Sequence, residues 1–170
     1  MAKRLLTVGA KAPAFALKTA DGKTVRLSDF LGKHVVLYFY PKDDTPGCTK
    51  EACSFQARLP QLANANAVVL GISRDPVDAH RRFADKFHLT FPLLSDPDHR
   101  VCDAYGVYKQ KSMYGRAYWG IERTTFLIDP RGRIAKIFPK VSVEGHTADV
   151  LQSLRFVEPS GGRTARTVGR

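Results

Sequence analysis

Apolar positions along the chain fall into short bursts whose period changes from one to the next. Residues 15–27 place short alternating runs on either side of Asp21-Gly22, which predicts a β-hairpin near the N-terminus. Ser28-Asp29 then reads as the cap of a brief helical turn ending at Gly32. Residues 35–40 form an unbroken apolar run, as do residues 67–73, and such runs predict strands buried on both faces. Between them, residues 46–62 read as a helix entered through Pro46-Gly47, and residues 76–88 as a helix opened by Asp75-Pro76. Residues 91–95 predict a short strand and 98–105 a helix. A second hairpin is expected from residues 124–129 and 133–138 across Asp129-Pro130-Arg131-Gly132, with residues 147–156 closing the domain as a helix. The aromatic stretch 114–120 reads as a loop that either lines an entrance or covers the sheet. No internal repeat is present.

Strand, helix, strand, helix in succession implies parallel strands joined by right-handed crossovers, while the late hairpin adds antiparallel strands. The predicted class is therefore α/β. A central mixed sheet flanked by helices, an N-terminal β-hairpin and a cysteine where the first buried strand meets its helix outline a thioredoxin-like fold. With 170 residues, 44% of them hydrophobic, one compact domain over residues 1–157 is expected, followed by a basic, disordered tail at 158–170.

Charge changes this picture little. The net +11 comes from 27 basic and 16 acidic residues. Residues 155–170 hold four arginines against one glutamate, in a Gly/Ser/Thr-rich context. The remainder is spread without a basic block beyond pairs such as Lys3-Arg4 and Arg81-Arg82, so nucleic acid is kept as a rival partner on net charge alone. Lys11 and Pro13 interrupt the N-terminal segment before a signal-peptide core can form, and no run approaches the roughly 18 apolar residues of a membrane span. A cytoplasmic protein is expected. Three cysteines are too few, and odd in number, for a secreted disulfide scaffold.

Cys48 follows Pro41-Lys42-Asp43-Asp44-Thr45-Pro46-Gly47, directly after the first buried strand. A helix start offers unpaired N–H groups and partial positive charge, and both favour a thiolate over a thiol. Cys53, five residues on, makes a redox pair conceivable. Cys102, within the helix at 98–105, reads as a packed or incidental thiol. Joining Cys48, Cys53 and one of five histidines to a metal is disfavoured, because neither Cys-x-x-Cys nor His-x-x-x-His spacing is present.

The frame Pro41-x-x-x-Thr45-x-x-Cys48 resembles the active-site signature of peroxiredoxins. The longer run Tyr38-Phe39-Tyr40-Pro41 … Thr45-Pro46-Gly47-Cys48-Thr49-x-Glu51-Ala52-Cys53 is similar to their bacterioferritin comigratory protein, or PrxQ, branch. The similarity extends from about Gly9 to Ala148, through Gly71-Ile72-Ser73, Leu94-Ser95-Asp96-x-Asp98-His99 and Arg123-Thr124-Thr125-Phe126-Leu127-Ile128-Asp129. It implies a thiol peroxidase acting on hydrogen peroxide and organic hydroperoxides without metal, haem or flavin.

By that resemblance Cys48 is the peroxidatic residue and Cys53 the candidate resolving one. Arg123 is the active-site arginine, whose fixed charge would stabilise the thiolate and the leaving oxygen. Thr45 would place its hydroxyl between sulfur and peroxide, and the Pro41 ring would restrict water. Glu51, one turn beyond Cys48, could orient Arg123. Positions five apart in an intact helix have Cα atoms ~8.7 Å apart, beyond the ~7 Å reach of a disulfide. The helix start must therefore unwind in each cycle, and Pro46 and Gly47 would ease that opening. Thioredoxin or a similar dithiol protein is the implied reductant, and a monomer the implied state. The enzymatic rival, a thiol-disulfide oxidoreductase on the same fold, lacks its Cys-x-x-Cys motif.

Overall fold

The computed structural model describes residues 6–155, so the expected tail at 158–170 and the domain boundary at 157 lie outside the described residues. Strands β1 (Ala16–Thr19) and β2 (Thr24–Arg26) form the first hairpin, with Leu17 opposite Val25. A 3-10 turn follows at Leu27–Phe30. Its cap is Arg26, where Ser28-Asp29 was expected: Asp29 reaches back to accept the Arg26 N–H at 2.9 Å.

Strands β3 (His34–Phe39), β4 (Ala67–Ser73) and β5 (Leu93–Ser95) run parallel in the centre of a seven-stranded sheet, with β1 beside β5 and β2 at that edge, and two later strands beyond β3. Strand β8 (Thr124–Ile128) lies antiparallel beside β3, with Thr124 opposite Phe39, and β9 (Ile134–Phe138) pairs with its far side. The mixed sheet expected from the sequence is thus present.

Every residue of β3 is buried, and the strand's alternation divides the core. Val35, Leu37 and Phe39 join one apolar cluster with Tyr105 and Phe126. Val36, Tyr38 and Tyr40 join the other with Phe55, Phe83 and Val150. Helices α1 (Pro46–Ala57), α2 (Leu59–Asn64), α3 (Val77–Phe87) and α5 (His146–Leu154) cover this second face, and α4 (Arg100–Ala104) covers the first. Gly71 of β4 sits opposite Tyr38, where a Cβ would come within 3.0 Å of the tyrosine ring. Only a residue without a side chain lets that ring lie across the sheet.

Two expectations need correction. The helix expected over residues 46–62 is broken at Arg58, because Pro60 in the first turn of α2 has no N–H to give to the preceding turn. The loop expected at 114–120 is instead the core of a hairpin, β6 (Tyr108–Met113) and β7 (Arg116–Ile121). Its two-residue turn, Tyr114-Gly115, takes positive φ at both positions, which matches the twist of paired strands. Among the described residues this hairpin pairs with no strand of the main sheet. Among the described residues no helix is long and apolar enough to cross a membrane.

Candidate active site

The C-terminal end of β3 delivers Tyr40 and then residues 41–45, which lead into α1. Cys48 occupies the third position of that helix and is 2% exposed. Thr45 is the N-cap residue, but its side chain does not cap the helix: the hydroxyl donates to the Lys42 carbonyl at 2.9 Å. The N-terminal amides of α1 therefore have no side-chain cap, and the partial positive charge of the helix end is left available beside the sulfur. Pro41 is exposed at the surface.

Arg123 arrives from the other side of the sheet junction, because it precedes β8 and β8 pairs with β3. Its Nη2 donates to Cys48 Sγ at 3.3 Å, and its Nη1 donates to Glu51 Oε1 at 2.6 Å. One guanidinium thus bridges the thiol and the carboxyl, which stand one turn apart on α1. Gly47 makes room for it, since a Cβ there would lie 3.2 Å from Nη2. That is a packing reason for Gly47 beside the ease of opening expected from sequence.

Glu51 is wholly buried, and burial pushes its carboxyl up to about 7 although Arg123 pulls the other way. Its Oε2 and the hydroxyl of buried Tyr38 have no hydrogen-bond partner among the described residues. Burial, then the nearby Glu51 and Cys48, keeps the Tyr38 phenol protonated well beyond its usual range. Burial also works against the charge on Arg123, but Glu51 and Cys48 outweigh it and hold the guanidinium more firmly protonated than usual. Beside these groups, His146 bonds Thr125 Oγ1 through Nε2 at 2.8 Å, and burial brings it down to about 4, so it is neutral near pH 7.

The structure therefore brings together Cys48, Arg123, Glu51 and Gly47, with Thr45 at the rim. Cys53 is partly exposed on α1, and all three cysteines are free thiols. Cys102 lies on the opposite face of the sheet from Cys48 and is wholly buried. Asp43, Asp75 and His80 converge instead beneath residues 41–47, with potential ligand atoms within 4.8 Å of one another. Sequence reasoning did not single them out. Asp43 lay inside the quoted motif and Asp75 at a helix start, but nothing local linked either to His80.

An arginine donating to a sulfur at an uncapped helix start can hold a thiolate and stabilise an oxyanion formed beside it. Residues 8–137 match the AhpC/TSA family. The putative peroxiredoxin bcp of Coxiella burnetii is 56% identical over 149 residues, spanning 88% of this chain and 99% of its own length. Peroxiredoxin Bcp of Bacillus subtilis is 48% identical over 150 residues, 88% of this chain and 96% of that one. A solved structure of Xanthomonas campestris bacterioferritin comigratory protein, from work on its alkyl peroxide reduction activity, superposes with a TM-score of 0.83 at 42% identity, covering 88% of this chain and 98% of its own.

Proposed function

The chain belongs to the AhpC/TSA family, in its Bcp/PrxQ branch of peroxiredoxins, and is a thiol peroxidase; from that premise we propose that Cys48 is the peroxidatic residue and Cys53 the resolving one. The observation that carries the reading is the 3.3 Å hydrogen bond from Arg123 to Cys48 Sγ at a helix end without a side-chain cap. The substrates are hydrogen peroxide and small organic hydroperoxides. In the first step the Cys48 thiolate attacks the terminal peroxide oxygen, forming an S–O bond as the O–O bond breaks. The leaving alkoxide or hydroxide takes up a proton and departs as alcohol or water. Cys48 is thereby oxidised by two electrons to a sulfenic acid. Arg123 and the α1 amides face the charge that moves from sulfur to oxygen.

Glu51 orients Arg123, and Gly47 gives it space. Thr45, its hydroxyl now on the Lys42 carbonyl, turns toward an incoming peroxide, and the apolar ring of surface-exposed Pro41 restricts water around the sulfur. The Cys53 thiol then attacks the Cys48 sulfur, expels water and forms the disulfide. Because both cysteines lie on α1, this step requires its first turn to open. Thioredoxin or a similar dithiol protein returns both thiols. The protein acts as a cytoplasmic monomer in this reading, with no nucleic-acid partner.

The reading is tested by intact mass after one equivalent of peroxide, with and without alkylation. The wild-type chain is expected to lose two hydrogens, mapped to Cys48 and Cys53. Cys53→Ser should stop at one added oxygen on Cys48, and Cys48→Ser should consume no peroxide. Peroxide turnover retained in Cys48→Ser would overturn the assignment.

A further inference from the structure

Beneath residues 41–47 runs a chain of buried and half-buried polar groups that makes no hydrogen bond to Cys48 or Arg123 among the described residues. His80 on α3 is 0% exposed, and both of its ring nitrogens are engaged. Nε2 lies 3.0 Å from the Leu94 carbonyl oxygen of β5, and Nδ1 lies 2.6 Å from Asp43 Oδ2. Asp43 Oδ1 accepts the Tyr40 hydroxyl at 2.5 Å. The Asp43 N–H donates to Asp75 Oδ2 at 2.8 Å, and that oxygen also accepts the Ser73 hydroxyl at 2.6 Å. Asp75 and Tyr40 are thus the other ionisable groups of the cluster.

Counting hydrogens decides what this chain contains. A carbonyl oxygen can only accept, so Nε2 carries a hydrogen. Across the 2.6 Å contact, either Nδ1 carries a second hydrogen and faces a carboxylate, or Asp43 carries the hydrogen and faces a bare Nδ1. Both arrangements hold one proton more than a neutral imidazole and a carboxylate. Without that proton, one ring nitrogen would turn a lone pair toward either the Asp43 carboxylate or the Leu94 carbonyl, at the cost of a buried unsatisfied contact. The shared proton fills the space between Asp43 and His80, where a metal would have to displace it.

Resting on the reading of Cys48 as the peroxidatic residue, we propose that Asp43 and His80 are positioning residues of that site: their shared proton fastens residues 41–47, and with them the start of α1, to α3 and β5. Asp43 stands two residues before Thr45 and five before Cys48, so its place sets where the helix end and the threonine present themselves. The same loop must let go for the Cys48–Cys53 disulfide to form. The fastening therefore favours the peroxide-reactive form over the opened one. A second tie between loop and helix, Lys86 to Asp44 at 3.0 Å, is solvent-exposed and contributes little by comparison.

Three full-length variants separate a proton-filled latch from simple packing. Asp43→Asn supplies the hydrogen covalently: its amide N–H can donate to a neutral His80 Nδ1 while its oxygen still accepts from Tyr40. Asp43→Leu keeps the volume and removes every side-chain bond, and His80→Phe removes the other half. Rapid mixing with hydrogen peroxide, alkylation quench and mass analysis read Cys48 oxidation and disulfide formation separately. Asp43→Leu and His80→Phe are expected to oxidise ~30-fold or more slowly, as misplacing a reacting group by about an ångström does. Their sulfenic acid should convert to disulfide no more slowly than in the wild type. Asp43→Asn should stay within ~3-fold of wild type in both steps.

Wild-type oxidation rates in the folded Leu and Phe variants, or an Asn variant as slow as Leu, would overturn the proposal. Should the Leu and Phe variants not fold, Tyr40→Phe deletes one hydroxyl from the same chain and is expected to slow oxidation ~3- to 10-fold with the same split between steps; an unchanged rate there would equally overturn it. A wild-type chain that leaves Cys48 unmodified would instead remove the peroxidatic reading itself.

Discussion

Cys48 and Cys102 occupy the same helical position, the third residue of α1 and of α4, and are 2% and 0% exposed. What surrounds them is opposite in sign. At the start of α4 the amides already have an anion: Asp96 accepts from Val101 N at 3.2 Å and from Cys102 N at 2.8 Å. Burial, reinforced by that carboxylate, pushes the Cys102 thiol far above its ordinary range. At the start of α1 no side chain caps the amides, and a guanidinium donates to the sulfur. A helix start therefore does not make a reactive cysteine by itself. The reactive site needs the donors left open and a cation placed against the sulfur, and only Cys48 has both.

The strongest way to break the contrast is to remove the cation's geometry while keeping its charge. Lysine at 123 carries one ammonium and cannot donate to Cys48 and Glu51 from a planar fork, so the charge would settle on one of them. Arg123→Lys is expected to lower the second-order rate of Cys48 oxidation ~100-fold or more, the scale seen when an oxyanion donor is lost. Stopped-flow measurement that finds the rate within ~3-fold of wild type would show that the bridging geometry does not matter.

Glu51 offers a smaller and pH-dependent effect. Its folded-state carboxyl lies at about 7 against an ordinary 4.5, so the folded protein holds a proton there that the unfolded chain releases earlier. The stability tied to that proton is fully present below about pH 4.5 and lost as the pH rises through about 7. Such a difference corresponds to at most about 3 kcal/mol. Glu51→Gln keeps an oxygen for Arg123 Nη1 but cannot ionise. Urea unfolding at pH 5 and pH 8 should show the wild type losing stability between the two, and the variant losing less by ~1 to 3 kcal/mol. Equal losses in both proteins would place the titration elsewhere.

Much of this site was legible because its parts are local or tied to a long buried strand. The run at 35–40 announced β3, the motif after it placed Cys48 at a helix start, and a strand beginning at Thr124 had to pair near Tyr40 for Arg123 to reach the sulfur. The hairpin at Tyr108–Met113 and Arg116–Ile121 escaped notice because most of its side chains are exposed, so no buried face imposed the period of two on the sequence. The break at Arg58 was written in Pro60, but the apolar spacing continued across it and hid the change of axis. The Asp43–His80 contact joins residues 37 apart, and neither residue type signals a partner at that range. The direction of the Thr45 hydroxyl, toward Lys42 O, depends on the loop's own turn and has no signature in composition.

The smallest effect expected in activity belongs to Cys102, and it sharpens the comparison from the inert side. Its sulfur packs in the cluster that also holds Phe39, Tyr105 and Phe126, on the face of the sheet away from Cys48. Removing the sulfur leaves a small cavity and deletes the thiol's own hydrogen bond to Asp96, while the Asp96 bonds to the N–H groups of residues 101 and 102 remain. Cys102→Ala should therefore unfold ~1 to 2 kcal/mol more easily, while peroxide is consumed at the wild-type rate and the Cys48–Cys53 disulfide still forms. Denaturant midpoints, peroxide assay and disulfide mapping check the three statements together. A Cys102→Ala chain that stops at the sulfenic acid would mean that this buried thiol takes part in resolution, and the division between the two helix starts would no longer hold.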